Sequence, residues 1–109
     1  MSLTDDLFRV VHAPQPVPGS AQARVTVTST ASTLATLGYA AVSKARGYLV
    51  QVTGTSAVVR MCPDGSTPTA SQGFRVCSGD MLLLTPQDHN SAKFILESGT
   101  PVLEIQAVR

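Results

Sequence analysis

The chain has 109 residues, a formal net charge of +1, 43% hydrophobic residues and only 14% charged ones. That length accommodates one domain around one core and is too short for two. Its eight cations are scattered from Arg9 to Arg109 and its charge is near neutral, which gives no long-range field for phosphate and argues against nucleic acid as the principal partner.

Residues 2–11, SLTDDLFRVV, place Ser2 as a candidate N-cap with Asp5 three positions on, and Leu3, Leu7, Val10 and Val11 at roughly helical spacing. A single short helix could form there, or Phe8, Arg9, Val10 and Val11 could serve as an extended arm laid along another surface. The following HAPQPVPG carries three alternate prolines and favours an extended, polyproline-like course. Residues 1–19 therefore read as an arm plus a stiff spacer, packed either on their own domain or on a neighbouring subunit, and residues 20–109 as a single β domain.

From Ala21 onward the texture is β. Ala23–Thr28 alternates, and Tyr48–Thr53 alternates less cleanly before Gly54. Between them, 29–47 is rich in Ala, Ser and Thr with Leu34, Leu37 and Tyr39 as its large apolar anchors, and reads as a long ordered connection or a short helix plus loop. Further strands are expected over Ala57–Cys62, Phe74–Cys77, Met81–Thr85, Lys93–Glu97 and Val102–Val108, the last a clean alternation of Leu103, Ile105 and Ala107 against Val102, Glu104, Gln106 and Val108. About seven short strands separated by Gly, Pro, Asp and Asn signals, with no long amphipathic helix to cover an open sheet, predict an all-β, single-domain sandwich of jelly-roll type.

Reactive chemistry is sparse. The two histidines, His12 and His89, lie in loop-like contexts with no histidine near either, so the cluster of a metal-binding jelly roll cannot be assembled. Solvated loop histidine is the simpler reading of His89. No G-x-S-x-G elbow is present, Asp5 and Asp6 suit a helix start, and Asp64, Asp80 and Asp88 each sit in turn-like contexts. The DxDxDG spacing of a calcium loop is missing. With five aromatics and no Trp, neither a base-stacking nor a sugar-stacking face is expected. No catalytic, cofactor or metal site is assigned, and no deep pocket with convergent polar side chains is expected. No stretch approaches the roughly 20 apolar residues of a membrane span, and the N-terminus lacks a basic-then-apolar leader, so a soluble chain made inside the cell is expected. Cys62 and Cys77 flank a polar excursion and could face each other across a hairpin, but for a chain made there two reduced thiols are the preferred reading.

The segment Val58–Asp80, VVRMCPDGSTPTASQGFRVCSGD, is dense in turn residues: Asp64-Gly65 supplies a tight turn, and Pro68, Gly73 and Gly79-Asp80 punctuate the rest. It reads as two strands joined by a long excursion. Arg60 and Arg75 flank that excursion, and simple solvation on strand faces accounts for them, with pairing to carboxylates of a partner as the alternative. A charged fraction well below the roughly 25% of typical soluble proteins also suits standing contacts with other proteins.

The run Val59 to Gly73, followed by Gly79-Asp80, Lys93-Phe94-Ile95 and a closing strand, resembles small β-sandwich structural proteins of tailed bacteriophages, in which a VR...DG..PT...G signature precedes a glycine turn and an FI strand. The likeness spans roughly residues 48–109, and the N-terminal third departs from it. It implies a capsid decoration, or cement, protein. Such a protein stands on the outside of an icosahedral shell, bound to the major capsid protein, made in the host cytoplasm, and arranged as a homo-oligomer, a dimer or trimer, that strengthens the shell by multivalent contact. On that reading the contacts come from Phe8, Arg9, Val10 and Val11 of the arm, from Ser66, Thr67 and Gln72 of the excursion, and from Arg60 and Arg75. A tail or head-fibre module is the nearest alternative, although no stalk-like repeat is visible. A ligand-binding or enzymatic jelly roll is the other.

Overall fold

A computed structural model describes residues 15–18 and 22–109. Within them, β1 (Ala23–Thr26), β2 (Gly47–Thr53), β3 (Val58–Cys62), β4 (Phe74–Cys77) and β5 (Met81–Leu84) precede one short helix, α1 (Pro86–Ser91), and are followed by β6 (Lys93–Ser98) and β7 (Val102–Val108). The strands form two antiparallel sheets, one ordered β1-β7-β2-β5 and the other β4-β3-β6.

Alternating side chains give each sheet one apolar face, and the two faces share one core. In the larger sheet β2 and β7 run side by side along their whole length, with Tyr48 opposite Ala107, Val50 opposite Ile105 and Val52 opposite Leu103, all six buried. The smaller sheet answers with Val59 and Met61 of β3, Val76 of β4 and Phe94 of β6. Burying each such Val, Leu, Ile, Phe or Met side chain contributes about 1.5–3 kcal/mol, and this common core is the main force holding the sheets together.

Several element ends differ from the sequence expectation, each for a local reason. β1 stops at Thr26 because Val27 lies opposite Pro101: the Val27 N–H still donates to the Pro101 carbonyl (3.1 Å), but proline has no N–H to return, and the Val27 side chain stays in the core. Thr85 leaves the expected strand to cap α1: its hydroxyl accepts from the Asp88 N–H (3.1 Å), and the Asp88 carboxylate accepts from the Thr85 N–H (3.0 Å). With Pro86 at the first turn, this is a capping box. The 29–46 connection is ordered and contains no helix. Ser32 bridges to Phe94, and a turn over 34–38 drops Leu34 and Tyr39 into the core.

Of the expected N-terminal arm, Phe8, Arg9, Val10 and Val11 lie outside the described residues. The described part of the proline-rich stretch is extended and runs beside the end of β7. The Val17 N–H donates to the Ala107 carbonyl (3.0 Å), the Arg109 N–H donates to the Gln15 carbonyl (2.9 Å), and Val17 joins the core. These residues take over the side of β7 that β1 leaves uncovered beyond Ile105.

The two flanks of the sandwich are unlike. On one, the Leu96 N–H donates to the Thr28 carbonyl (2.9 Å) and Ser32 pairs with Phe94, tying the β6 edge to the chain that follows β1. On the other, β4 is the edge of one sheet and β5 the edge of the other. The tight Cys77–Asp80 turn joins them, closed by the Asp80 N–H on the Cys77 carbonyl (3.0 Å) and the Cys77 N–H on the Asp80 carboxylate (2.9 Å).

Candidate interaction surface

Residues 63–73 leave the end of β3 and return into β4 as an excursion held at several points. Asp64 accepts from the Ser66 N–H (3.0 Å), an Asx-type turn in which that backbone donor holds the carboxyl below its ordinary pKa. Pro68 is fully buried, and Thr69 and Gln72 exchange backbone hydrogen bonds (2.9 and 3.2 Å). Ser91 of α1 donates to the Pro63 carbonyl (3.2 Å), and Arg60 Nη1 donates to the Gly73 carbonyl (3.1 Å). Ser66, Thr67 and Gln72, the three excursion residues expected to make contacts, are all exposed on this anchored frame. Cys62, Pro63, Asp64, Ser66, Gly73 and Phe74 line a groove of about 460 Å³ at its base. The groove lining is largely apolar, and its one carboxylate is already engaged by Ser66.

Arg60 and Arg75 face each other directly across β3 and β4 on the outer face of the smaller sheet. The sequence reading of two separately solvated arginines is corrected here: both bind Glu97 of β6. Arg60 Nε pairs with Oε1, and Arg75 Nη2 lies 3.0 Å from Oε2. Two like charges directly opposed on adjacent strands repel, and one carboxylate placed to bridge both removes that cost. Burial pushes the Glu97 carboxyl up, but hydrogen bonds from Arg60 and Arg75, together with their charges, outweigh it and hold the group below its ordinary pKa. Arg60 is largely enclosed, whereas Arg75 keeps 56% of its side chain in solvent and remains accessible to a partner.

The large apolar side chains left exposed among the described residues are Phe74 (68%), Met81 (55%) and Leu83 (61%). All three lie on β4 and β5, the two edges of the same flank. Phe74 is paired with buried Met61, and it is exposed at the edge strand, where among the described residues no further strand lies beyond β4 to cover it. Met81 and Leu83 point away from the core, with Leu83 opposite half-buried Leu49 of β2. The uninterrupted apolar run Met81-Leu82-Leu83-Leu84 contains no charge, proline or bulge, the devices that usually blunt an edge strand.

Other expectations are revised by the fold. His89 is not a solvated loop residue: it sits in α1, 2% exposed, and its Nε2–H donates to the Tyr39 carbonyl (2.7 Å) while its ring packs 5.1 Å from Tyr48. The Tyr39 ring meets Tyr48 edge-on at 5.7 Å, and burial, with the neighbouring Tyr48 second, raises the Tyr39 pKa. Cys62 and Cys77 are both free. Cys77 pairs with Val58 at the far end of β3 from Cys62, a separation of about 13 Å along the strand, well beyond the reach of a disulfide. Cations scattered in sequence also converge in space, with Lys44, Arg46 and Arg109 lining a cleft of about 550 Å³. Among the described residues no three His, Cys, Asp or Glu side chains gather as a metal site, and no helix is long and apolar enough to cross a membrane.

Glu97, Phe74, Met81 and Leu83 are the surface residues that sequence reasoning did not single out. The unbroken Met81–Leu84 run was the available signal. No protein-family model matches the chain, and no curated protein or solved structure is significantly similar to it.

Proposed function

We propose that this is a virion structural protein of the decoration, or cement, type. It binds the outer surface of an icosahedral phage capsid, takes the major capsid protein as its partner, stands there as a homo-oligomer, and acts by contact without a cofactor or catalysis. The observation that carries this reading is the excursion 63–73. It is pinned at Asp64, Pro68, Thr69, Gln72 and Gly73, and it still presents Ser66, Thr67 and Gln72 to solvent beside the accessible Arg75. A loop held this way loses little conformational freedom on docking, which favours a standing contact over a transient one.

The neutral, hydroxyl-rich surface supports the same reading. So does the resemblance carried by Val59–Gly73 and Lys93–Ile95. The chain path adds to it: β2 pairs with β7 in one sheet and β3 with β6 in the other, with β4 and β5 innermost in sequence, the nested order of a hairpin rolled up as in a jelly roll. In this reading the excursion and the arm residues Phe8, Arg9, Val10 and Val11 grip the shell.

The test is to mix the purified protein with undecorated capsids and image them. Saturable, symmetric extra density on the outer surface supports the proposal, and its loss on replacing Ser66, Thr67 and Gln72 together assigns the grip. Bare shells at saturating protein overturn it and favour a tail module or a role outside the virion.

A further inference from the structure

We infer that the β4–β5 flank is the surface through which two copies of this chain associate, by antiparallel pairing of β5 with β5 of the second copy. The inference rests on the proposed oligomeric role, but the surface is defined by the fold alone. Among the described residues the exposed large apolar side chains, Phe74, Met81 and Leu83, lie on this flank, and on the opposite flank the β6 edge is tied to Thr28 and Ser32 through Leu96 and Phe94. Alternate peptide groups of an edge strand point away from the sheet, and those of β5 do so next to an apolar run with no protecting charge.

The occupant follows from symmetry and from the presence of two edges. A peptide from another protein could extend one edge, but this flank offers the edge of each sheet, joined by the Cys77–Asp80 turn and stacked about 10 Å apart. A second copy presents the same two edges at the same spacing, and a two-fold axis through the flank brings both into contact in a closed assembly. The pleat restricts the register. Side chains opposite one another across an antiparallel pair share a face, so the exposed Met81 and Leu83 meet each other or their own copies and not Leu82 or Leu84. Pairing centred on Leu82 sets Met81 against Leu83 of the second copy. The eight strands of the two larger sheets then form one continuous sheet, and Phe74 from each copy covers the junction between the layers. Arg75 comes to this junction with its charge already countered by Glu97.

Sedimentation equilibrium of the full chain across micromolar to millimolar concentration tests this without any capsid, so its outcome is separate from that of shell binding. Wild-type protein is expected to be a dimer. Leu83→Lys sets lysines against the edge of each copy and is expected to weaken the dimer by at least about tenfold. Met81→Lys, a second exposed change, should do the same, while Thr26→Lys on the opposite edge strand should not. Far-ultraviolet circular dichroism checks that each variant is folded. A wild-type monomer throughout this range overturns the inference, as does a Leu83→Lys dimer of undiminished strength. A monomer that binds shells and loses binding on Leu83→Lys also overturns it, because the flank would then belong to the capsid protein.

Discussion

Arg60 and Glu97 are joined across β3 and β6 on the outer face of the smaller sheet, and the same carboxylate reaches Arg75 on β4. Glu97 therefore ties all three strands of that sheet together at the level of the excursion. Glu97→Ala is expected to destabilise more than Arg75→Ala, since it leaves two opposed arginines without their counter-charge, whereas Arg75→Ala leaves the Arg60 pair intact. Added salt should recover part of the Glu97→Ala loss. The folded pKa lies below the unfolded one, so the contribution is complete above the ordinary glutamate value of about 4.3 and is lost as pH falls through the folded value. Urea unfolding against pH should show the wild-type advantage over Glu97→Gln shrinking below about pH 4.

The Tyr39 hydroxyl is buried with no hydrogen-bond partner among the described residues. Tyr39→Phe removes that unsatisfied group while keeping the ring contacts with Tyr48 and His89, so it should be neutral or stabilising by about 1 kcal/mol in equilibrium unfolding. Burial raises the Tyr39 pKa, so the wild type should also lose stability as pH rises past about 10, and Tyr39→Phe should lose less.

His89 has the opposite character, since its ring is packed and its Nε2–H is used. His89→Ala removes the ring that packs against both Tyr39 and Tyr48 and strands the Tyr39 carbonyl, at an expected cost of about 3 kcal/mol by urea denaturation.

The turn at Gly99 packs against the β2–β3 turn so closely that an added Cβ would lie 2.5 Å from the Ser56 carbonyl oxygen, and Gly99 also has φ +72. Gly99→Ala should cost roughly 2 kcal/mol, a fall in Tm of about 10 °C by calorimetry. Gly79→Ala, at positive φ with open space around it, should cost less and serves as the control.

The strands were legible in the sequence wherever one face is buried and the other is wet. Phe74–Cys77 and Val102–Val108 match to the residue, and the remaining five strands to within two residues. What the sequence concealed depends on contacts between distant segments. Glu97 is only the last residue of an expected strand until β3, β4 and β6 bring two arginines to it, and His89 reads as solvated until the 29–46 connection lays Tyr39 over it. α1 could have been read from Thr85-Pro86-Gln87-Asp88, where capping residue, proline and acid stand in order. In the Met81–Leu84 run every position is apolar, so no alternation tells that Met81 and Leu83 face solvent on an edge strand while Leu84 is buried.

Amide hydrogen exchange on the full chain, free at high dilution and bound to undecorated capsids, tests most directly whether the excursion and the β4–β5 flank are the working surfaces. Bound protein should gain protection at 64–73 and at Met81–Leu84 while the β1 edge, Ala23–Thr26, stays unchanged. Bound protein in which 64–73 and Met81–Leu84 exchange as fast as in the free chain would contradict the account.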